Sequence, residues 1–256
     1  MSLFISHGAP TLLLNETPAH RFLKQLGGEL PRPKAIIVIS AHWESDQLQV
    51  DHTAQHDLIY DFRGFPKELY EFKWPVNGDP ALAEKIQAHL AARGFQATLT
   101  SGRGLDHGAW VPLALLDSNA AIPIVPVSLP VDYDERALWA LGKALSDFER
   151  EGYLLIGTGS LTHNLRALSP NWNAPSHPDV APFVDGLKEI LEGAERERII
   201  NWRALPYARN HHPSPEHFLP LLIAAAAPGK AQRLHQSIEY GALAMDCWSF
   251  GQPALA

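Results

Sequence analysis

The sequence predicts an α/β fold made of a single domain, in which helices flank both faces of a central mixed, largely parallel sheet. The first observation is that short apolar or β-branched runs alternate along the chain with longer segments of helical periodicity, which favours strands covered by helices. The second is the combination of 256 residues with a hydrophobic content of 46%, which suffices for one sizeable core. Since no linker-like segment interrupts this pattern, we expect residues 1–256 to form one domain.

Period-2 or continuous apolar patterns predict the strands. They are Leu3–Ser6, Ala35–Ser40, Leu48–Asp51, Gln96–Thr100, Ile122–Ser128, Tyr153–Gly157, Leu234–Glu239 and Leu243–Trp248. Helical periodicity predicts the segments between them, several of which begin with proline, a residue suited to the first helical position. They are Pro18–Leu26, Pro66–Phe72, Pro80–Arg93, Asp134–Glu151, Val180–Gly193 and Pro215–Ala227. Tyr240-Gly241-Ala242 joins the last two strands and predicts a hairpin, hence an antiparallel portion.

Composition excludes several classes of function. Lys and Arg total 21 against 28 acidic residues, and no basic cluster is present, so nucleic-acid binding is not expected. The longest apolar run, Phe218–Ala227, contains Pro220 and is too short for a membrane span. The only cysteine, Cys247, excludes an intramolecular disulfide and a multi-cysteine metal site, and it fits a reducing, cytosolic compartment. A small molecule is the expected partner.

Histidine is the unusual component of the sequence, with 13 copies. His7 and His42 end the first two predicted strands, and His163 follows the strand Tyr153–Gly157. The carboxyl ends of strands form the edge at which open α/β sheets build a binding crevice. We therefore expect these three imidazoles, although far apart in the chain, to converge at that edge.

His217 is predicted to reach the same edge from a helix start. Ser214 suits an N-cap and Pro215 the first helical position, which places His217 in the first turn. Neutral imidazole is the commonest metal ligand, and three or four imidazoles could hold Zn(II) or Fe(II) at an open site. The four histidines together therefore predict a metal centre.

His107 is a further candidate for the site. It lies between Asp106 and Gly108, just before a helix expected to start near Ala109. Asp106 or a backbone carbonyl could fix the tautomer of its ring. His107 is therefore a candidate acid, base or outer hydrogen-bond donor.

Six short segments resemble those of a known family. They are His7-Gly8-Ala9-Pro10, Ser40-Ala41-His42-Trp43, Tyr60-Asp61-Phe62-Arg63-Gly64-Phe65-Pro66 with Leu69-Tyr70, Leu105-Asp106-His107-Gly108-Ala109-Trp110, Thr162-His163-Asn164-Leu165, and Pro215-Glu216-His217 with Leu219-Pro220-Leu221. In this order and spacing they resemble the class III extradiol ring-cleaving dioxygenases, most nearly the 4,5-DOPA dioxygenase branch. The resemblance runs from the first residues to the C-terminus.

The resemblance implies one catalytic domain, residues 1–256, that opens the ring of a catechol such as L-DOPA with O2. It implies that His7, His42 and His217 are metal ligands, and that His163 is a fourth ligand or a base close to the metal. His107 would hydrogen-bond the substrate hydroxyl or the oxygen. Fe(2+) is the metal expected for activity, and Zn(2+) would also occupy a site of neutral imidazoles, which lacks the usual carboxylate ligand.

Two other functions stay open on the residues alone. The same ligands around Zn(II) would activate water near neutral pH, as in a hydrolase acting on amides or esters. A non-catalytic protein of this fold could instead bind a metal or an aromatic ligand without turnover. His107 and His163 count against the second function, because simple metal storage requires neither.

Overall fold

The computed structural model describes residues 1–251, in which strands alternate with helices. The strands are β1 (Ser2–Ser6), β2 (Ile36–Ser40), β3 (Glu44–Ser45), β4 (Leu48–Asp51), β5 (Ala97–Thr100), β6 (Ile124–Pro126), β7 (Leu129–Pro130), β8 (Leu154–Gly159), β9 (Lys230–His235), β10 (Ile238–Glu239), β11 (Leu243–Ala244) and β12 (Cys247–Gly251). The α-helices are α1 (Pro18–Glu29), α2 (Lys67–Glu71), α3 (Pro80–Ala91), α4 (His107–Leu116), α5 (Glu135–Ser146), α6 (Val180–Glu192), α7 (Ala208–His211) and α8 (Leu219–Ala225). Shorter 3-10 helices occupy Pro10–Leu13, Asp147–Glu151, Leu165–Ala167 and Arg196–Ala204. Within this range, no helix has the length and apolarity that crossing a membrane requires.

A mixed sheet of six strands forms the centre of the fold, in the order β6-β2-β8-β1-β12-β9. The first four strands are parallel, since β2 pairs in parallel with both β6 and β8, and β8 with β1. β12 runs antiparallel to β1 on one side and to β9 on the other. The last strands thus supply the antiparallel portion.

Alternate residues of the central strands enter two different apolar cores. In β1, Phe4 belongs to the core built with α3, α5, α6 and α8, whereas Leu3 and Ile5 belong to the core built with α1 and α4. β2 divides in the same way between Ile37 and Ile36, because successive side chains of a strand point to opposite faces. Helices therefore cover both faces of the sheet, and the predicted fold class is confirmed.

The predicted hairpin is also confirmed, with shorter strands than expected. β10 and β11 pair antiparallel on either side of Tyr240 and Gly241. Both of these residues have positive φ, 53° and 71°, as a tight hairpin turn requires. Each of the last two predicted strands is divided in the structure, and its outer half, β9 or β12, joins the central sheet.

The predicted start of the last helix at Pro215 is wrong. α8 begins at Leu219, and the preceding residues form a turn in which the Phe218 N–H donates to the Pro215 carbonyl (2.8 Å). Ser214 does not cap a helix, because its hydroxyl donates to the Glu216 carboxylate (3.0 Å). The histidine of this segment lies in the turn rather than in a helix.

Close backbone contacts bring this turn to the sheet. β1, β2 and β8 end side by side, with Ser6 opposite Gly159 and Ser40 opposite Thr158. Gly159 lies directly against the carbonyl oxygen of His217, where any Cβ would clash. The absence of a side chain on this glycine therefore lets the turn reach the carboxyl edge of the sheet.

Two neighbouring glycines of α1 provide a matched test of this close packing. A Cβ on Gly27 would clash with the carbonyl oxygen of Leu116 at the end of α4, whereas a Cβ on Gly28 would meet nothing within 4 Å. We expect Gly27→Ala to lower the free energy of unfolding by about 1–3 kcal/mol through overpacking. Gly28→Ala should raise it by about 0.4–1 kcal/mol, because alanine restricts the unfolded chain. Urea denaturation measures both values, and equal effects of the two substitutions would contradict this account.

Candidate metal centre

Three of the predicted ligands meet at the carboxyl edge of the sheet. His7 directly follows β1, His42 lies two residues after β2, and His217 lies in the turn before α8. The Nε2 atom of His42 is 3.3 Å from Nε2 of His7 and 3.3 Å from Nε2 of His217. One ring nitrogen from each of the three residues lies within 4.8 Å of the other two.

This spacing fits a shared metal ion. A metal–nitrogen distance of about 2.0–2.1 Å in tetrahedral geometry separates neighbouring ligand nitrogens by roughly 3.3–3.4 Å. Without a cation, facing lone pairs or facing N–H groups would repel one another at such a distance. Neutral imidazole suits both Zn and Fe. The donor set therefore fits a divalent transition metal.

Burial keeps the imidazoles of His7 and His42 neutral. His7 is only 2% exposed, and its pKa is lowered well below 6.5 by burial and by the neighbouring His42 and His217. Burial, together with His107 and His217, lowers the pKa of His42 to about 3. Only the neutral ring has a free lone pair for a metal, so the site is prepared for coordination at neutral pH.

The opposite nitrogen of each of these rings faces an oxygen. His7 Nδ1 donates to Thr158 Oγ1 (3.0 Å), because the threonine hydroxyl itself donates to the Gly108 carbonyl (2.6 Å). His42 Nδ1 lies 3.7 Å from a carboxylate oxygen of Asp61. His217 Nδ1 donates to Glu216 Oε1 (2.9 Å). These partners favour a hydrogen on Nδ1 and leave Nε2 of each ring unprotonated.

Both carboxylates are held in the charged form. Burial raises the pKa of Asp61, but the hydrogen bonds from the ring and backbone N–H of His107 outweigh it and lower that pKa to about 2. Burial likewise opposes ionisation of Glu216, and its hydrogen bonds from His217 and Ser214 lower its pKa to about 2. Two negative charges therefore lie behind the imidazoles.

His163 lies against the centre by stacking. Its ring covers the ring of His217 with a centroid distance of 3.4 Å and an interplanar angle of 10°. The group of three nitrogens formed by the other histidines does not include His163, which instead groups with Glu216 and His217. Burial and the neighbouring His217 lower the pKa of His163 to about 3, so its ring is neutral.

His107 begins α4 and faces the same cluster. Its ring centroid is 4.1 Å from that of His42, and both its backbone N–H and its Nδ1 donate to Asp61 Oδ1 (3.0 and 2.9 Å). The expectation that Asp106 or a carbonyl fixes this ring is wrong. Asp106 instead caps α4 and forms an ion pair with Arg103 (3.0 Å).

The sequence patterns did not predict the residues that contact the second nitrogen of each ligand ring, Glu216, Asp61 and Thr158. Glu216 directly precedes His217, and this adjacency could have predicted Glu216 as a hydrogen-bond partner of the ring. Asp61 lies in a loop with no periodicity, and Thr158 reads as an ordinary strand residue. Gly108 is also part of the site, since a Cβ there would lie 2.6 Å from His42 Cδ2.

Comparisons with known proteins agree on one family. The family model described as "Catalytic LigB subunit of aromatic ring-opening dioxygenase" matches residues 2–245. The 4,5-DOPA dioxygenase extradiol of Beta vulgaris is 40% identical over 257 residues, covering 97% of this chain and 96% of that protein. Its namesake in Escherichia coli (strain K12) is 33% identical, covering 95% and 92%. The crystal structure of an uncharacterized protein from Escherichia coli K12 matches with a TM-score of 0.85 at 29% identity, covering 98% of this chain and 99% of that one.

The buried histidines predict a strong pH dependence of stability in the metal-free protein. His212 is buried outside the ligand cluster, with its Nε2 beside the Leu161 carbonyl oxygen (2.9 Å). The folded-state pKa values of His42, His163 and His212 are about 3, and that of His7 is well below 6.5. Between these values and about 6.5 the unfolded chain binds protons that the folded chain does not, so stability is present above about pH 6.5 and lost as the pH falls. Urea denaturation at pH 7.5, 6.5 and 5.5 should show the free energy of unfolding decreasing, with a smaller slope for His212→Asn. A free energy that does not change over this range would contradict these pKa shifts.

Proposed function

Since the chain belongs to the family of the catalytic LigB subunit of aromatic ring-opening dioxygenases, we propose that it opens the ring of a catechol by extradiol cleavage at a metal held by His7, His42 and His217. The observation that carries this proposal is the pair of 3.3 Å contacts that join the three Nε2 atoms. An L-DOPA-like catechol is the proposed substrate, supported by the names of the relatives. O2 is the second substrate.

Fe(II) is the proposed working metal. When bound, it would acidify the diol and supply the redox chemistry that lets O2 react with the aromatic ring. The three imidazoles would occupy one side of the ion. Zn(II) is accepted by the same donors and binds more tightly in the general affinity order, so purified protein would carry zinc unless iron is supplied.

His163 is the proposed general base. Burial and the neighbouring His217 lower its pKa, so the ring is neutral at pH 7, and a neutral imidazole can accept a proton from a catechol hydroxyl that the bound metal would acidify. Stacking on His217 fixes its position beside the metal ligands. The protonated ring could return that proton later in the reaction. A role as a fourth ligand is the alternative assignment for this residue.

His107 is the proposed hydrogen-bonding partner of substrate or oxygen. Asp61 holds its Nδ1–H, which fixes the ring in one orientation and leaves Nε2 without a partner among residues 1–251. Phe62 packs edge-on against the same ring, with centroids 5.7 Å apart. This nitrogen is thus available to a bound ligand on a ring that cannot easily turn.

Family membership favours ring opening over the two other functions. A zinc hydrolase would use the same ligands, but none of the relatives described above is named as a hydrolase. A non-catalytic binding protein would not need the two further imidazoles of His107 and His163, which lie against the rings of His42 and His217.

The proposal predicts oxygen uptake that depends on both iron and catechol. Metal-free protein loaded with Fe(II) without air, and then given L-DOPA and O2, should consume one O2 per catechol. The product should have the mass of the substrate plus one O2, because both oxygen atoms are retained. Protein loaded with Zn(II) is the control and should consume no oxygen. Equal rates with iron, with zinc and without metal would overturn the proposal.

Two substitutions separate proton transfer from metal binding. His163→Ala should keep most of the metal and lower kcat by about 100-fold or more, the usual contribution of a general base. His42→Ala should lose the metal itself, since it removes a nitrogen shared by both 3.3 Å contacts. Metal content and oxygen uptake are measured on the same samples. If His163→Ala releases the metal as readily as His42→Ala, the residue is a ligand instead.

A further inference from the structure

A divalent cation at this centre would meet only neutral ligands. Each imidazole contributes one lone pair and no charge, so two positive charges would enter a largely buried site uncompensated. Burying an unpaired charge is costly, and proteins normally place opposite charge nearby. A metal bound here would therefore require negatively charged groups close to its ligands.

Asp61 is the first source. Its Oδ2 lies 3.7 Å from Nδ1 of His42, and its Oδ1 accepts hydrogen bonds from the backbone and ring N–H groups of His107. One carboxylate thus lies behind a ligand ring and anchors the start of α4. It is separated from the metal position by a single imidazole.

Glu216 is the second source and occupies the equivalent position behind another ligand. Its Oε1 accepts hydrogen bonds from His217 Nδ1 (2.9 Å) and from the Ser214 hydroxyl (3.0 Å). The Ser214 hydroxyl donates to this carboxylate, and the turn lets Glu216 accept a hydrogen bond from the ring of the adjacent His217.

The remaining acids near the centre do not fill this role. Asp106 is already balanced by Arg103 at 3.0 Å. Burial raises the pKa of Glu44, and the charge of the nearby Glu216 raises it further. Glu44 makes no hydrogen bond or ion pair with a ligand histidine in the described part of the chain. The third ligand, His7, is backed by the uncharged hydroxyl of Thr158. The charge behind the ligands is therefore carried by two residues.

We propose that Asp61 and Glu216 are positioning residues that balance the charge of the divalent metal from behind His42 and His217. This inference rests on the proposed metal site and adds a role for two residues that touch neither the metal nor the substrate. A site with a carboxylate ligand would carry part of this charge on the metal itself. Here the negative charge lies on Asp61 and Glu216, behind the rings of His42 and His217, and it stabilises the metal through those rings.

The test measures metal affinity, which does not depend on turnover. Asp61→Asn and Glu216→Gln keep the size of each side chain and an oxygen acceptor while removing the charge. Each should weaken Zn(II) binding by about 10–100-fold, as measured by competition with a chromophoric chelator at fixed pH. The double variant should approach the product of the two losses, because the carboxylates lie behind different ligands. Glu44→Gln removes a nearby charge without a bond to a ligand and should change the affinity much less.

A univalent ion distinguishes charge balance from ring orientation. Coulomb energy scales with the charge of the ion, so the logarithmic loss of Ag(I) affinity in Asp61→Asn and Glu216→Gln should be about half the loss for Zn(II). Equal losses for the two ions, or no loss for Zn(II), would overturn the inference. Circular dichroism of each metal-free variant confirms that it is folded before binding is measured.

Zn(II) binding by the unsubstituted protein and by His42→Ala tests the metal site separately from the role of the two carboxylates. If the unsubstituted protein binds one Zn(II) and His42→Ala does not, the metal site stands whatever the carboxylate variants do. If the unsubstituted protein binds no Zn(II), both the proposed function and the inference resting on it fail.

Discussion

Two contacts of 3.3 Å join the Nε2 atoms of His7, His42 and His217, and a shared cation would relieve the repulsion between their facing lone pairs. Burial and mutual repulsion lower the pKa of His7 and His42 and so keep these two rings neutral. A metal bound at the proposed site would use the same lone pairs that bind protons, so protons and metal would compete for the same atoms. In the metal-free protein this cluster is electrostatically unfavourable, so contacts with the surrounding backbone must hold the three histidines together.

The sheet supplies the rigidity that the cluster needs. Parallel pairing of β1, β8 and β2 brings the ends of three strands, distant in sequence, to one edge. At Gly159 the backbone of the sheet then lies directly against the backbone of His217, and at Gly108 the start of α4 lies directly against the ring of His42. Main-chain packing therefore positions the turn that carries His217, and the missing side chain of Gly108 leaves room for the ring of His42.

The sequence predicted those parts of the site that depend on local pattern. The ends of apolar strands gave the positions of His7 and His42, and the alternation of elements gave the fold class. The turn at His217 could not be predicted, because Ser214-Pro215 has the same local signature as a helix start and only the contact with Glu216 decides otherwise. Asp61 could not be predicted as a partner either, since its contacts with His42 and His107 join residues far apart in the chain.

Placing negative charge behind the ligands rather than on the metal has a consequence for the chemistry. Each imidazole occupies one coordination position, whereas a carboxylate can occupy two. Three neutral ligands backed by Asp61 and Glu216 would therefore balance the charge of a divalent ion while using few of its coordination positions. A reaction that must bring two catechol oxygens and O2 to one ion needs those positions free. The proposed all-histidine ligand set, with the two outer carboxylates, would thus meet the requirements of charge balance and of open coordination together.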